Sequence, residues 1–278
     1  ATELYHLGAK RVVLAREVSL EDIKKIRDNT PADLEIEAFV HGAMRVSFSG
    51  RCLISQYLTG RDANHGECAQ SCRWKYHLVE EKRPGEYMPV VEDEKGTHFF
   101  NAKDMCMLEY LDQLAKAGIS SFKIEGRAKS AFYGAAVTNA YRIATDIYKA
   151  NPDSYILPEW LSQEPYKVSH REYSTGFYFP EQPAGQVYHN AGYIREWEVT
   201  AIVEAYQNGE IICTQRNKFE VGETLEVLEP GTQPREFVVT RIINSKDEEV
   251  DSAPHPMETL RIPFSTPVQK GALIRKQL

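Results

Sequence analysis

Residues 35–74 read EIEAFVHGAMRVSFSGRCLISQYLTGRDANHGECAQSCRW, and this stretch decides the fold. It opens as a strand, with Ile36, Ala38 and Val40 alternating with Glu35, Glu37 and Phe39 at a period of two. At His41-Gly42 the alternation stops. From there to Trp74 the chain carries four glycines, three cysteines and four arginines, and follows neither helical nor strand periodicity. A strand that runs into a long polar, cysteine-bearing loop is where an α/β protein places its chemistry.

Upstream, RVVLA (Arg11–Ala15) reads as a buried parallel-type strand. Ser19, with Asp22 three residues on, caps a helix that runs to Asn29, before Pro31. This β-α-β order with short connections favours a parallel sheet covered by helices. Downstream, 73–100 reads as loop or short hairpins. A helix is then expected from Asn101 or Asp104, with Met105, Leu108, Leu111, Leu114 and Ala115 as its apolar stripe and Gly118 as its stop. Ile119–Gly126 is the next strand, and Ser130–Ala150 a helix with Tyr133, Val137, Ala140, Tyr141, Ala144 and Ile147 at core spacing. Residues 151–193, rich in proline, glycine and tyrosine, read as a linker. From 194 to 278 the pattern changes to short alternating strands divided by turns such as Asn208-Gly209 and Pro230-Gly231, which predicts a small antiparallel β barrel.

The bulk numbers set the class. A chain of 278 residues, 42% hydrophobic and 26% charged, is that of a soluble globular protein, and no apolar run approaches the roughly 20 residues that span a bilayer. The opening ATELYHLGAKRVVLARE reads as a helix end, a glycine turn and a strand, so the chain is expected to start inside a fold, as a fragment. A net charge of -7 argues against general nucleic-acid binding but leaves room for a local basic site. Arg45, Arg51, Arg61, Arg73 and Lys75 all lie in or beside the cysteine loop. Singly each reads as a solvated or ion-paired charge, and together they suggest a site for anions. Five cysteines, three of them within 21 residues, point in a cytoplasmic chain to metal or redox chemistry rather than to a disulfide scaffold.

Cys52, Cys68 and Cys72 are spaced C-x15-C-x3-C. Three thiolates can hold zinc or an iron–sulfur cluster when a fourth ligand or an open position completes the site. Cys106 and Cys213 read as small core residues. On the strand ending Lys123-Ile124-Glu125-Gly126-Arg127, alternation puts Lys123 and Glu125 on one face. That placement suits either site residues at a strand's C-terminal end or a structural ion pair.

Taken together, these motifs resemble a known family. Glu37-x-Phe39-Val40-His41-Gly42-Ala43-Met44, Ser49-Gly50-Arg51-Cys52-Leu53-Ile54-Ser55, Arg61-Asp62, Gly66-x-Cys68, Ser71-Cys72-Arg73-Trp74, Lys103-Asp104 and Lys123–Arg127 are similar to the collagenase-like peptidase family U32. The similarity is strongest to its branch that hydroxylates tRNA wobble uridine. The resemblance implies an α/β fold, here a partial (β/α) TIM-type barrel over 1–150 followed by the β domain. It implies prephenate-dependent, oxygen-independent 5-hydroxyuridine synthesis on tRNA, with a [4Fe-4S] cluster on four cysteines, in the cytoplasm. Relatives act on ribosomal RNA cytidine or ubiquinone precursors.

Matched residue by residue, Cys52, Cys68 and Cys72 would ligate the cluster, while the fourth family cysteine is replaced by Arg45. Three outcomes stay open: a cluster with one open iron, substitution by Cys106 or His41, or loss of the cluster. Lys123, Glu125 and Arg127, with His41, are the candidate catalytic group, the cations pairing with a dicarboxylate such as prephenate. Arg51 and Arg73 are candidate cofactor contacts, since a guanidinium fork suits carboxylates. Two alternatives stand beside this reading. A peptidase could use Cys52 with His41, although the chain has neither H-E-x-x-H nor G-x-S-x-G. The other is a non-catalytic RNA- or partner-binding fragment.

Overall fold

The structure is a computed structural model that describes residues 1–44, 52–74, 77–78, 88–89, 103–127, 129–181 and 193–278, with backbone alone for Arg73 and for 77–78 and 88–89. By internal contacts the chain divides into two units, Ala1–Glu125 with Arg171–Tyr193, and Gly126–His170 with Ile194–Leu278.

The first unit contains α1 (Thr2–His6), β1 (Arg11–Val13), α2 (Leu20–Asp28), β2 (Glu35–Ala43), α3 (Ile54–Thr59), β3 (His77–Leu78), β4 (Met88–Pro89), β5 (Asp104–Cys106), α4 (Leu111–Lys116), β6 (Ser121–Ile124) and β7 (Tyr173–Ser174). Strand β2 is its axis. Glu35–Glu37 pair in parallel with β1, and the segment from Glu37 to His41 pairs in parallel with β6. The end of β2, His41–Ala43, pairs antiparallel with β5, to which β7 adds in parallel. Ile36, Ala38 and Val40 are buried, as are Leu20 and Ile23 of α2 and Leu111 and Leu114 of α4. Each fully buried leucine or isoleucine contributes roughly 1.5–3 kcal/mol. The expected cap on α2 is present: the Asp22 amide donates to Ser19 Oγ at 3.1 Å.

Three sequence expectations need correction here. The helix expected from Asp104 is a strand, β5, and helical structure begins only with a 3₁₀ turn at Leu108–Tyr110 before α4. The exposed backbone edge at the end of β2 accounts for this, because Gly42 and Ala43 find their partners in Met105 and Asp104. The sheet is also mixed rather than purely parallel. Finally, 151–193 is no plain linker, since it contains α6 (Glu159–Gln163), a 3₁₀ turn at Glu164–Lys167 and β7.

The second unit joins α5 (Ala131–Ala150) and α6 to β8 (Trp197–Gln207), β9 (Glu210–Gln215), β10 (Phe219–Glu220), β11 (Thr224–Leu228), β12 (Arg235–Val238), β13 (Ile242–Ile243), β14 (Glu249–Val250), β15 (Ser252–Ala253), β16 (Thr259–Pro263) and β17 (Leu273–Gln277). Eight of these strands form one sheet ordered β12-β11-β17-β8-β9-β16-β13-β14, antiparallel throughout. A single core that includes Val203, Ile211, Phe219, Leu225, Leu260, Ile262 and Ile274 unites it. Cys213 belongs to that core, and burial pushes its thiol up to about 12, with Glu204 adding to the shift. Arg275 of β17 is fully buried, bonded to Glu226 at 2.6 Å and to Glu164 at 2.7 Å, which fixes the 3₁₀ turn after α6 to the sheet. Among the described residues, no helix is long and apolar enough to cross a membrane.

Candidate functional site

Strand β2 has two faces. Its core face is apolar, and the other carries Glu37, Phe39 and His41. Parallel pairing with β6 places Lys123 beside this face, and Lys123 Nζ meets Glu37 Oε1 at 2.8 Å. Ser121 donates to Glu37 Oε2 at 2.8 Å, and Arg11 of β1 reaches the same carboxylate at 3.2 Å. The Lys123 hydrogen bond, helped by Ser121 and Arg11 and opposed by burial, holds the Glu37 carboxyl below its ordinary 4.5.

Just beyond β1, Arg16 is only 4% exposed and bonds the Glu125 carboxylate. Its guanidinium lies 3.5 Å from the centroid of the Phe39 ring, a cation–π contact made inside the fold. Glu125 is 29% exposed and Lys123 40%, so the open side of the cluster is formed by these two while Arg16 is the anchor beneath. Lys123 and Glu125 are thus both ion-paired, but with Glu37 and Arg16 rather than with each other. With Glu35, which pairs with Arg11 at 2.6 Å, three cations face three carboxylates among the described residues. A ligand carboxylate would therefore enter by exchanging with Glu37 or Glu125 rather than by occupying an unpaired cation.

At the end of β2, His41 is buried, with its Nε2 3.3 Å from the Tyr173 hydroxyl and the two rings 5.2 Å apart. The His41 carbonyl accepts from the Glu125 amide at 2.9 Å. Gly42 follows with φ +116°. A Cβ there would overlap the Glu125 carbonyl oxygen and stand 3.0 Å from Glu125 Cβ. The invading backbone is that of the candidate site, so glycine at this position lets Glu125 cross the end of β2. Tyr178 donates to the Phe39 carbonyl at 2.5 Å, and burial raises its phenol above the ordinary range. The buried Asp104 carboxylate accepts from the Arg171 amide at 3.3 Å.

The cysteine loop is built locally. Asn64 brackets Cys52, accepting from its amide at 3.3 Å and donating to its carbonyl at 3.0 Å. Ser55 Oγ accepts from the Ala69 amide at 3.0 Å, and the Gln70 amide lies 3.3 Å from Cys68 Sγ. Tyr193 donates to the Gln70 side chain at 3.2 Å. Cys52 is buried, while Cys68 and Cys72 are partly exposed. Among the described residues, no group of three His, Cys, Asp or Glu side chains could hold a metal ion. No chemistry is assigned through a metal or cluster at this loop.

Of the residues singled out from sequence, the structure gathers Lys123, Glu125 and His41 at the C-terminal end of one sheet. Arg127 is exposed and belongs to the second unit. Arg45 and Arg51 lie outside the described residues, as does the Arg73 side chain. Sequence reasoning missed Arg16 and Tyr173. Arg16 carried a usable signal, a charge just after a buried strand, whereas Tyr173 lay in a segment read as linker.

Residues 1–187 match the model of peptidase family U32, and 195–275 that of the peptidase family U32 C-terminal domain. An uncharacterized protease of Methanocaldococcus jannaschii is 38% identical over 89% of this chain and 62% of its own length. tRNA hydroxylation protein P1 of Bacillus subtilis is 32% identical over 97% of the chain and 64% of its length. tRNA hydroxylation protein P of Escherichia coli is 34% identical over 92% and 65%. The chain thus spans a little under two thirds of each of these relatives. With both family models matched in order along its length, the chain belongs to peptidase family U32.

Proposed function

We propose that this chain is part of an RNA-modifying protein that hydroxylates a pyrimidine of tRNA, the wobble uridine in the first instance, with prephenate as co-substrate. Similarity to two tRNA hydroxylation proteins over more than nine tenths of the chain carries the reading. The site gives it a chemical basis. The cluster of Arg11, Arg16 and Lys123 with Glu37 and Glu125 can exchange carboxylates, which suits a small dicarboxylate better than a neutral ligand. In this reading Arg16 orients Glu125, and Lys123 is the cation that meets the ligand. His41, held against Tyr173, is placed at the strand end to move or hold a proton at Nε2. The parallel trio β1-β2-β6 is what a segment of a (β/α) barrel would contribute, and the residues that the longer relatives have in addition would complete it.

The test of the co-substrate is binding of prephenate to the complete protein by calorimetry. Wild-type protein is expected to bind, Lys123→Met to bind weakly, and a neutral analogue of prephenate not to bind at all. Equal binding by wild type and Lys123→Met would remove this cluster from the reading.

A further inference from the structure

We propose that Tyr178 is a positioning residue for the cluster at the end of β2: its phenol fixes Phe39, the ring on which both Arg16 and Lys123 rest. The proposal deepens the reading of this cluster as a dicarboxylate site and rests on it. The Arg16 guanidinium lies 3.5 Å from the Phe39 ring centroid, and Lys123 Nζ lies 5.3 Å from the same point. One ring therefore supports the buried anchor and the cation on the open side, and whatever holds the ring sets the place of both.

The need for a holder comes from the sheet. Strand β1 ends at Val13, and the next amide, that of Leu14, donates to the Glu37 carbonyl at 2.9 Å. Carbonyls alternate between the two edges of a strand, so that of Phe39 points to the same edge, beyond the end of β1. Directly after Phe39 the pairing of β2 with β6 slips by one residue, a bulge of the kind that re-aims side chains beside a site. The donor that the sheet does not supply is the Tyr178 hydroxyl, 2.5 Å from the Phe39 carbonyl. The same tyrosine fastens the chain that carries Arg16, because its own carbonyl accepts from the Leu20 amide, at the start of α2, at 3.1 Å. Burial raises the phenol, with the Arg16 charge acting against that rise, so the hydroxyl stays a donor. Tyr178 is 3% exposed, and its influence on a ligand must run through Phe39.

The experiment is calorimetric titration of the complete protein with prephenate, run beside urea unfolding of the same variants. Tyr178→Phe, which removes the donor and keeps the ring, should raise the dissociation constant about fivefold. Phe39→Leu should raise it about tenfold. Adding Tyr178→Phe to Phe39→Leu should change it by less than about twofold, because the ring through which the phenol acts is gone. Leu114→Ala, a buried position of α4 in the same unit, is the stability control: it should lower the unfolding midpoint and leave binding within about twofold of wild type. Wild-type affinity in Tyr178→Phe overturns the proposal, as do additive losses in the double variant or an equal loss in Leu114→Ala. Far-UV circular dichroism shows which variants fold. Should Tyr178→Phe not fold, Phe39→Leu decides alone, and unchanged binding there overturns the proposal. A wild-type protein that does not bind prephenate overturns the dicarboxylate reading and the proposal together, whereas every other adverse result leaves that reading in place.

Discussion

Gly42→Ala is the most informative single substitution in the first unit. With φ at +116°, an L side chain at this position is strained, and its Cβ would overlap the Glu125 carbonyl oxygen. Backbone cannot rotate away as a flexible side chain can, so the crossing of Glu125 over β2 must open. Holding a non-glycine residue in such a conformation costs roughly 1–3 kcal/mol, and relieving an overpacked contact roughly 1–3 more. The expected loss is therefore about 2–6 kcal/mol. At about 2 kcal/mol per molar of urea, this lowers the unfolding midpoint by about 1–3 M. Hydrogen exchange adds a local readout: the Glu125 amide, which donates to the His41 carbonyl at 2.9 Å, should lose protection. Gly134 is the internal control. It lies within α5, a Cβ there meets nothing within 4 Å, and alanine should stabilise by roughly 0.5–1 kcal/mol. Should Gly42→Ala shift the midpoint no more than an exposed substitution and leave Glu125 protected, the placement of Glu125 across the strand end is wrong.

Other outcomes follow from the same geometry. Glu37 titrates below 4.5 in the folded chain, so its contribution to stability is complete above the unfolded value and is lost as pH falls from about 4.5 toward the folded value. Glu37→Gln should flatten that limb of the stability–pH curve, and an unchanged limb would count against the Lys123–Glu37 pair. Arg16→Met removes a buried guanidinium from Glu125 and Phe39 and should cost about 2–4 kcal/mol, the lower end reflecting the partial exposure of Glu125; a loss below about 1 kcal/mol would mean the pair is solvated. Cys213, buried and raised to about 12, should resist iodoacetamide in the native protein while Cys68 reacts, and early labelling of Cys213 would contradict its place in the core. With Arg45 in place of a thiolate, isolated protein should contain little iron and sulfide, and Arg45→Cys should raise both; full occupancy without that change would show that another residue closes the site.

Local patterns made much of this fold legible. The Ser19–Asp22 cap, the alternation from Glu35 to Val40, the helix over 131–150 and the switch to short strands near residue 196 each rest on contacts a few residues apart. Strand β5 was not legible, because over three residues Asp104–Cys106 cannot show a period, and Met105 also fits the helical spacing of Leu108 and Leu111. The extension of β2 through His41-Gly42 was hidden for a related reason. Both residues are held by β5 and β6, which lie more than sixty residues further along the chain. Candidate site residues were found where a short motif carried them, as with Lys123 and Glu125. Arg16 and Tyr173 are joined to their partners across 109 and 132 residues, and no local pattern encodes such pairs.

The central claim, that the intact protein hydroxylates tRNA through the cluster at the end of β2, is tested most directly by nucleoside mass spectrometry of tRNA. The RNA is taken from cells that lack the gene and from the same cells carrying either the wild-type gene or Glu125→Gln. The account predicts that a uridine with one added oxygen disappears on deletion, returns with the wild-type gene and stays low with Glu125→Gln. A nucleoside profile that is identical in all three strains would contradict it.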